Sequence, residues 1–210
     1  MKKKKTAKHP TTNSIILASE SPRRSELLNL LKIEFEILPS NVDESISDKV
    51  KPQDAVIEIA RRKGLFIADK LKNRKNLTII SADTTVVLKK KMLGKPESKD
   101  EAKKMLRNLS GKSHKVLTGV FIIARRNGVE KHFSAVEVSK VSFRTLDEKE
   151  IVAYVESGEP MDKAGAYALQ GLGGALVDSI SGCYTNIIGL PIPLTISLLR
   201  KAKIKILGCP

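Results

Sequence analysis

Val116-Leu117-Thr118-Gly119-Val120-Phe121-Ile122-Ile123-Ala124 is followed, after two arginines, by Asn127-Gly128 and a second β-prone run from Val129 to Phe143. Asn-Gly between two such runs is the strongest short-range hairpin signal, because both residues tolerate the positive φ of a tight type I′ turn. Antiparallel pairing is therefore expected here. Upstream, strand-like and helix-like segments alternate. Ile15–Ala18 suits a short buried strand. Ser21-Pro22 then opens a helix, with Ser as N-cap, Pro at the first helical position, and Leu27, Leu28 and Leu31 as its apolar stripe. Phe35–Leu38 reads as another strand. A helix from about Pro52 to Leu71 follows, with Val56, Ile59, Ala60 and Ile67 on one face. Leu77–Leu88 is a long β-prone run interrupted by Asp83.

Ser98-Lys99-Asp100-Glu101 has the pattern of a capping box, and Ala102, Met105, Leu106 and Leu109 make a buried face before Gly111 stops the helix. Thr145 and Glu148 form a second box ahead of Ile151, Val152, Tyr154 and Val155. A Gly-rich segment, Gly165 to Gly174, precedes a strand at Ala175–Ile180, and a last helix runs from about Pro193 to Lys203. Strands and helices mixed with an antiparallel hairpin predict an α/β fold whose mixed, partly antiparallel central sheet is flanked by helices.

Of 210 residues 41% are hydrophobic and 29% charged, an ordinary globular composition that argues against a disordered or fibrous chain. No apolar run reaches the roughly 18 residues of a membrane span. Ile15–Ala18 is too short for a signal peptide core, and the protein is expected in the cytoplasm. Cys183 and Cys209 supply neither a zinc set nor a disulfide framework. The net charge is +15, but residues 1–13 carry five Lys and no acid, and residues 200–210 four Lys/Arg and no acid, which leaves only +6 for the body. The ends read as solvated basic tails (1–13 and 201–210) around a domain at 14–200, with weak nucleic-acid attraction as the alternative. Aromatics are 4% with no Trp and do not interleave with the basic clusters, so no stacking surface for single strands is expected.

Several residues sit where packing logic alone would not put them. With Ser21 as N-cap, Arg23 and Arg24 fall in the first helical turn, where a cation is unfavourable by about 0.3–1 kcal/mol. Removing Arg24 should then leave stability equal or slightly higher. An anion bound at that turn would reverse the sign, because free N–H groups, serine hydroxyls and guanidinium forks converge on it. Two solvent-exposed arginines are the plain alternative. Asp83, inside Ile79-Ile80-Ser81-Ala82-Asp83-Thr84-Thr85-Val86-Val87, would be costly if buried without partners. It reads either as a strand-end carboxylate bonded to a hydroxyl or as a metal ligand or general base facing a cleft. Glu44, after Asn41-Val42-Asp43, is a candidate second acid. Lys63 lies in register with the apolar face of its helix, where snorkelling is the default explanation. Lys95, in Leu93-Gly94-Lys95-Pro96, stands in a rigidified turn. The segment Asp162-Lys163-Ala164-Gly165-Ala166-Tyr167-Ala168-Leu169-Gln170-Gly171 gathers small residues that permit close approach of a planar ligand. Neither a P-loop nor a dinucleotide-binding fingerprint occurs, and the G-x-S-x-G elbow is absent. His9, His114 and His132 lack metal-ligand spacing and read as structural.

Together these segments resemble the Maf family of nucleoside triphosphate pyrophosphatases. The resemblance runs from Ile16 to about Leu198. It is carried by Leu17-Ala18-Ser19-Glu20-Ser21-Pro22-Arg23-Arg24-Ser25-Glu26-Leu27-Leu28, Ser81-Ala82-Asp83-Thr84-Thr85-Val86-Val87 and Gly94-Lys95-Pro96. It continues in Leu109-Ser110-Gly111-Lys112-Ser113-His114 with Thr118-Gly119-Val120, then Asp162 to Gly171, then Gly189-Leu190-Pro191. Six blocks in order are far more specific than any one of them. The chain departs from the pattern at Glu20, where a small residue is usual. It departs again at Arg62, where an acidic or polar residue is common and which is read as inconsequential.

The resemblance implies a fold akin to the inosine triphosphate pyrophosphatases, with two lobes around a cleft. It implies hydrolysis of a nucleoside triphosphate to the monophosphate and pyrophosphate, assisted by Mg²⁺ or Mn²⁺. Asp83 would be the proton acceptor, and Glu44 with Asp83 would hold metal. Arg24, Thr84 and Gln170 would set substrate choice, and Ser19, Arg23, Lys63 and Lys95 would bind phosphates. The Asp162–Gln170 block is similar to the dTTP/UTP branch, which implies house-cleaning of pyrimidine nucleotides by a homodimer. The Gln170 amide offers a donor and an acceptor together, matching N3–H and a carbonyl of thymine or uracil but not cytosine. The competing readings are the same chemistry on a modified purine, or a non-catalytic regulator of division or nucleic acid.

Overall fold

The computed structural model describes residues 14–47 and 49–206. The 1–13 tail with His9, and the last residues of the 201–210 end with Cys209, lie outside the described residues. One mixed sheet contains β1 (Ser14–Leu17), β2 (Glu36–Ile37), β3 (Leu77–Leu88), β4 (Lys91–Leu93), β5 (Ser113–Arg126), β6 (Val129–Phe143) and β7 (Val177–Ser181). Its order is β2-β1-β3-β5-β6-β7, with β4 joined to β3. β2, β1 and β3 run parallel, whereas β3, β5, β6 and β7 pair antiparallel in succession. The Asn127-Gly128 turn sits between β5 and β6 with both φ values positive, as its sequence predicts. Flanking the sheet are α1 (Pro22–Asn29), α2 (Pro52–Lys70), α3 (Lys99–Leu109), α4 (Glu148–Glu156), α5 (Tyr184–Ile188) and α6 (Ile192–Lys201).

Alternation along β1 and β3 sorts the core. Ile15, Leu17, Ile80 and Ala82 pack toward α1 and α6, while Ile16, Leu77 and Ile79 face Ala60 and Ile67 of α2. A third cluster sits at the other end of the long strands, where Val86, Val116 and Val141 meet Leu106 of α3 and Tyr154 of α4. Between these ends lies the feature that makes the cleft. On the side of β3 away from β5, β1 pairs only with Leu77–Ile80, and β4 begins at Val86. The middle of β3 is thus flanked on that side by loops instead of by a strand.

Two local expectations shift. The capping box before α4 is formed by Asp147 and Glu150, not by Thr145 and Glu148. Residues 144–146 are still extended there, because Arg144 N–H donates to the Leu176 carbonyl and Leu146 N–H to Ser110 Oγ. Glu148 pairs instead with Arg107. The strand expected at Ala175–Ile180 starts at Val177, because Gly171–Leu176 coils into a 3₁₀ stretch.

The approach of α2 to the sheet depends on two glycines. A Cβ on Gly119 would lie 2.6 Å from the Val56 carbonyl carbon, and one on Gly64 would lie 2.8 Å from Ser81 Oγ. Gly119 pairs with Asp83 across β3–β5, so this contact also sets how near α2 comes to Asp83. Backbone cannot yield as a flexible side chain can. Gly119→Ala should therefore destabilise the fold by about 1–3 kcal/mol or more, seen as a fall in melting temperature of at least about 2 °C. An unchanged melting temperature would show that α2 is not seated on this glycine.

Candidate active site

A cleft of about 640 Å³ opens at the uncovered middle of β3, within the size range of small-molecule sites. Ser19, Arg23, Arg24, Glu44, Lys63, Asp83, Thr84, Lys95 and Gln170, the candidates from sequence, all line it. They do not form one cluster. Because β-strand side chains alternate, Asp83 and Thr84 point to opposite faces of β3 and gather different partners.

On the α2 face, Lys63 Nζ donates to Asp83 Oδ1 at 2.8 Å and lies 2.9 Å from Glu44 Oε1. Lys63 is only 6% exposed and Asp83 8%, so this lysine does not snorkel to solvent. It reaches Asp83 because Gly64 and Gly119 let α2 lie close. Burial of either group alone would be costly, and the pair is what makes it tolerable.

On the α1 face, Arg24 donates through Nε to the Gly189 carbonyl at 2.8 Å, through Nη1 to Ser19 Oγ at 3.2 Å and through Nη2 to Thr84 Oγ1 at 3.1 Å. Thr118 Oγ1 donates its proton to the Asn186 carbonyl at 3.2 Å. The 2.9 Å contact between Thr84 and Thr118 hydroxyls must then run from Thr84 to Thr118. The chain then runs Arg24 to Thr84 to Thr118 to Asn186, with the Gly189 carbonyl, 3.5 Å from Thr84 Oγ1, as a longer second acceptor for the Thr84 proton. Thr84 has no proton left for a ligand and faces the cleft as an acceptor. Of the five guanidinium donors of Arg24, three are used on neutral oxygens, leaving one on each terminal nitrogen, a pair suited to a phosphate. Burial pushes the Arg24 pKa below its ordinary value, with Asp83 and Glu44 nearby opposing that shift.

This geometry overturns the expectation that Arg24 is a liability at the helix start. Ser21 occupies the N-cap position without a side-chain cap bond, and the Arg24 guanidinium is carried away to the end of β1, to β3 and to Gly189. Arg24→Ala should lower stability by about 1–3 kcal/mol, because it strands the partners of three hydrogen bonds.

The acids of the cleft are mostly matched already. Asp162 pairs with Arg23 at 3.3 Å and with Lys163, while Asp83 and Glu44 share Lys63. Glu20 is exposed at the rim. Among the described residues Arg24 and Lys95 have no carboxylate partner within ion-pair distance, so the cleft retains attraction for an anion. No group of three or more His, Cys, Asp or Glu among the described residues forms a metal cage. The carboxylates of Asp83 and Glu44 do converge on one cation, and they are hard oxygen donors. Mg²⁺ commonly takes one or two carboxylates and completes its shell with phosphate and water, so this donor set fits such an ion.

Sequence reasoning passed over the residues that hold the candidates in place. Glu159 accepts from Tyr154 Oη at 2.9 Å and from the N–H groups of Leu172 and Gly173 at 3.0 and 2.9 Å, fixing the loop just after Gln170. Gln170 itself is exposed at the cleft. Thr118 stands in a segment that carries the resemblance but has no role assigned from sequence, and its pairing with Thr84 across β3–β5 gives it one. His114 is structural, as expected. It stacks edgewise on Phe143 and Tyr167, and its Nε2 lies 2.8 Å from the Tyr167 hydroxyl.

The family model described as Maf-like protein matches residues 14–202. A dTTP/UTP pyrophosphatase of Desulforamulus reducens is 46% identical over 192 residues, covering 91% of this chain and 98% of that protein. One from Acetivibrio thermocellus is 42% identical over 197 residues, covering 92% and 97%. Among solved structures, the Ham1 protein of Staphylococcus aureus overlaps 90% of this chain and 98% of its own with a TM-score of 0.43 and 13% identity, too loose a likeness to argue from.

Burial holds the pKa of His114 down at about 4, against 6.5 for an ordinary histidine. Below pH 6.5 the unfolded chain binds a proton there that the folded chain does not. Stability should therefore be full above pH 6.5 and fall by about 3 kcal/mol as the pH drops toward 4. His114→Phe should flatten that part of the stability–pH curve measured by denaturant titration. An unchanged slope in the variant would assign the loss to other groups.

Proposed function

This chain belongs to the Maf family, and on that premise we propose that it hydrolyses dTTP and UTP to the monophosphate and pyrophosphate. The observation that supports this most is the half-buried Arg24, which has two free donors and no carboxylate partner and is bonded to Thr84 on one face of β3, while the buried Asp83 lies on the other. A triphosphate has the charge to suit a cleft lined by both groups. Arg24, Arg23, Ser19 and Lys95 bind its phosphates, and Lys63 adds a cation at the floor.

Asp83 acts as the proton acceptor. Lys63 occupies Oδ1, which orients the carboxylate and leaves Oδ2 to take a proton from water. Glu44 and Asp83 would hold Mg²⁺ or Mn²⁺, which when bound supplies charge neutralisation at the phosphates. Gln170 reads the base. Its amide pairs with N3–H and a neighbouring carbonyl of thymine or uracil, and cytosine presents the reverse pattern at the same edge. Gln170 is exposed at the cleft, so the roughly 1–3 kcal/mol cost of an unmatched polar group arises only when the bound base covers it. The same reading takes residues 14–200 as the catalytic unit of a cytoplasmic homodimer. Among the described residues no helix is long and apolar enough to cross a membrane.

The test is a panel of nucleoside triphosphates assayed for pyrophosphate release with Mg²⁺ and with Mn²⁺. dTTP and UTP should exceed CTP by at least about tenfold in kcat/KM, and Asp83→Asn, although it costs stability by leaving Lys63 with Glu44 alone, should lower the turnover of its folded fraction by at least about 10²-fold. Preference for a modified purine would replace the substrate assignment. A well-folded Asp83→Asn protein with near-normal turnover would remove Asp83 from the mechanism.

A further inference from the structure

Glu44 lies on a long connection between β2 and α2, and its own side chain is 52% exposed. Among the described residues, 39–46 make no backbone–backbone hydrogen bond to another element. An ion pair with one exposed partner holds little, about 0–1 kcal/mol in the usual case. The Glu44–Lys63 contact cannot by itself account for the placement of this loop. Its neighbour on α2 can. Arg62 Nη1 donates to the carbonyls of Asp43 and Ser45, at 3.2 and 3.0 Å, the two carbonyls that flank Glu44. Its Nε donates to Glu58 Oε1 at 3.0 Å one turn earlier, which aims the guanidinium across the helix surface. Within the loop, Asp43 accepts from the N–H and hydroxyl of Ser45 at 2.8 and 2.6 Å, so the tripeptide is presented as a rigid turn.

We propose that Arg62 is a positioning residue that holds Glu44 at the Lys63–Asp83 pair, consecutive residues of α2 gripping one tripeptide by its backbone and by its carboxylate. The inference rests on the proposed function for its consequence in catalysis, but not for the contact itself. A guanidinium suits this task because it offers several donors in a fixed plane; a lysine ammonium cannot hold Glu58 and both carbonyls in the same geometry. On this proposal Arg62 has a consequence that its sequence context does not suggest.

Arg62→Gln should fold normally, since Arg62 lies at the surface and Glu58 keeps Arg61 on both carboxylate oxygens. Hydrogen exchange of the ligand-free full chain is the first measurement. Amides of residues 40–47 should exchange at least about tenfold faster in Arg62→Gln, with α2 and the melting temperature unchanged. The second is a double-mutant cycle on dTTP hydrolysis. Arg62→Gln should lower kcat/KM about tenfold in the wild-type background and less than about twofold in Glu44→Gln, because its effect passes through Glu44. Arg62→Lys should recover only part of both effects. Unchanged loop exchange, or equal losses in the two backgrounds, would overturn the proposal. A wild-type chain inactive on dTTP and UTP would sink the proposed function instead, and the exchange comparison alone would then decide the role of Arg62.

Discussion

One ammonium group ties the site together. Lys63 Nζ lies within 2.9 Å of carboxylates from two separate parts of the chain, Asp83 in the middle of β3 and Glu44 in the connection before α2. Removing one member of a buried pair typically costs 3–5 kcal/mol, because the partner charge is left behind without compensation. That penalty makes the arrangement all or none. Asp83 meets a lysine inside the sheet only while α2 lies close, and α2 lies that close only because Gly64 and Gly119 present no side chains.

The division of labour in the cleft follows from strand geometry. Asp83 and Thr84 are neighbours in sequence and belong to opposite faces of β3. One faces a lysine and a second acid; the other is the second link in a chain of hydroxyls that begins at Arg24 and ends at the Asn186 carbonyl. The Lys63–Asp83–Glu44 group and the Arg24–Thr84 group are thereby held on opposite faces of one strand. The site lies where the sheet is left uncovered between the end of β1 and the start of β4, in keeping with the habit of α/β sheets to bind ligands beyond strand ends where the connections part.

Much of this was legible from sequence. The Asn127-Gly128 turn, the amphipathic face of α2 and the acid embedded in a β-prone run each have a local cause, and the structure has the hairpin, the helix and the cleft-facing aspartate. Lys63 in register with Val56, Ile59 and Ala60 already placed a charge on a buried face, although its partners could not be read. What escaped detection depends on long-range pairing. Thr118 matters only because register sets it beside Thr84, and Glu159 only because the loop after Gln170 folds back on it. Arg62 reads as surface charge until the loop carrying Glu44 is seen against it. The capping box slipped by two residues because tertiary bonds to Arg144 and Leu146 hold the chain extended beyond Thr145. The Arg24 expectation failed for a related reason. A helix-dipole argument sees only the local turn, and this guanidinium spends its bonds elsewhere.

Hydrolysis to the monophosphate and pyrophosphate requires cleavage between the α and β phosphates of the nucleotide. Phosphorus NMR of dTTP turned over by the full chain reads that bond directly. dTMP and pyrophosphate should appear in equal amounts as the first products, the signature of this reaction. Accumulation of dTDP with orthophosphate would contradict it.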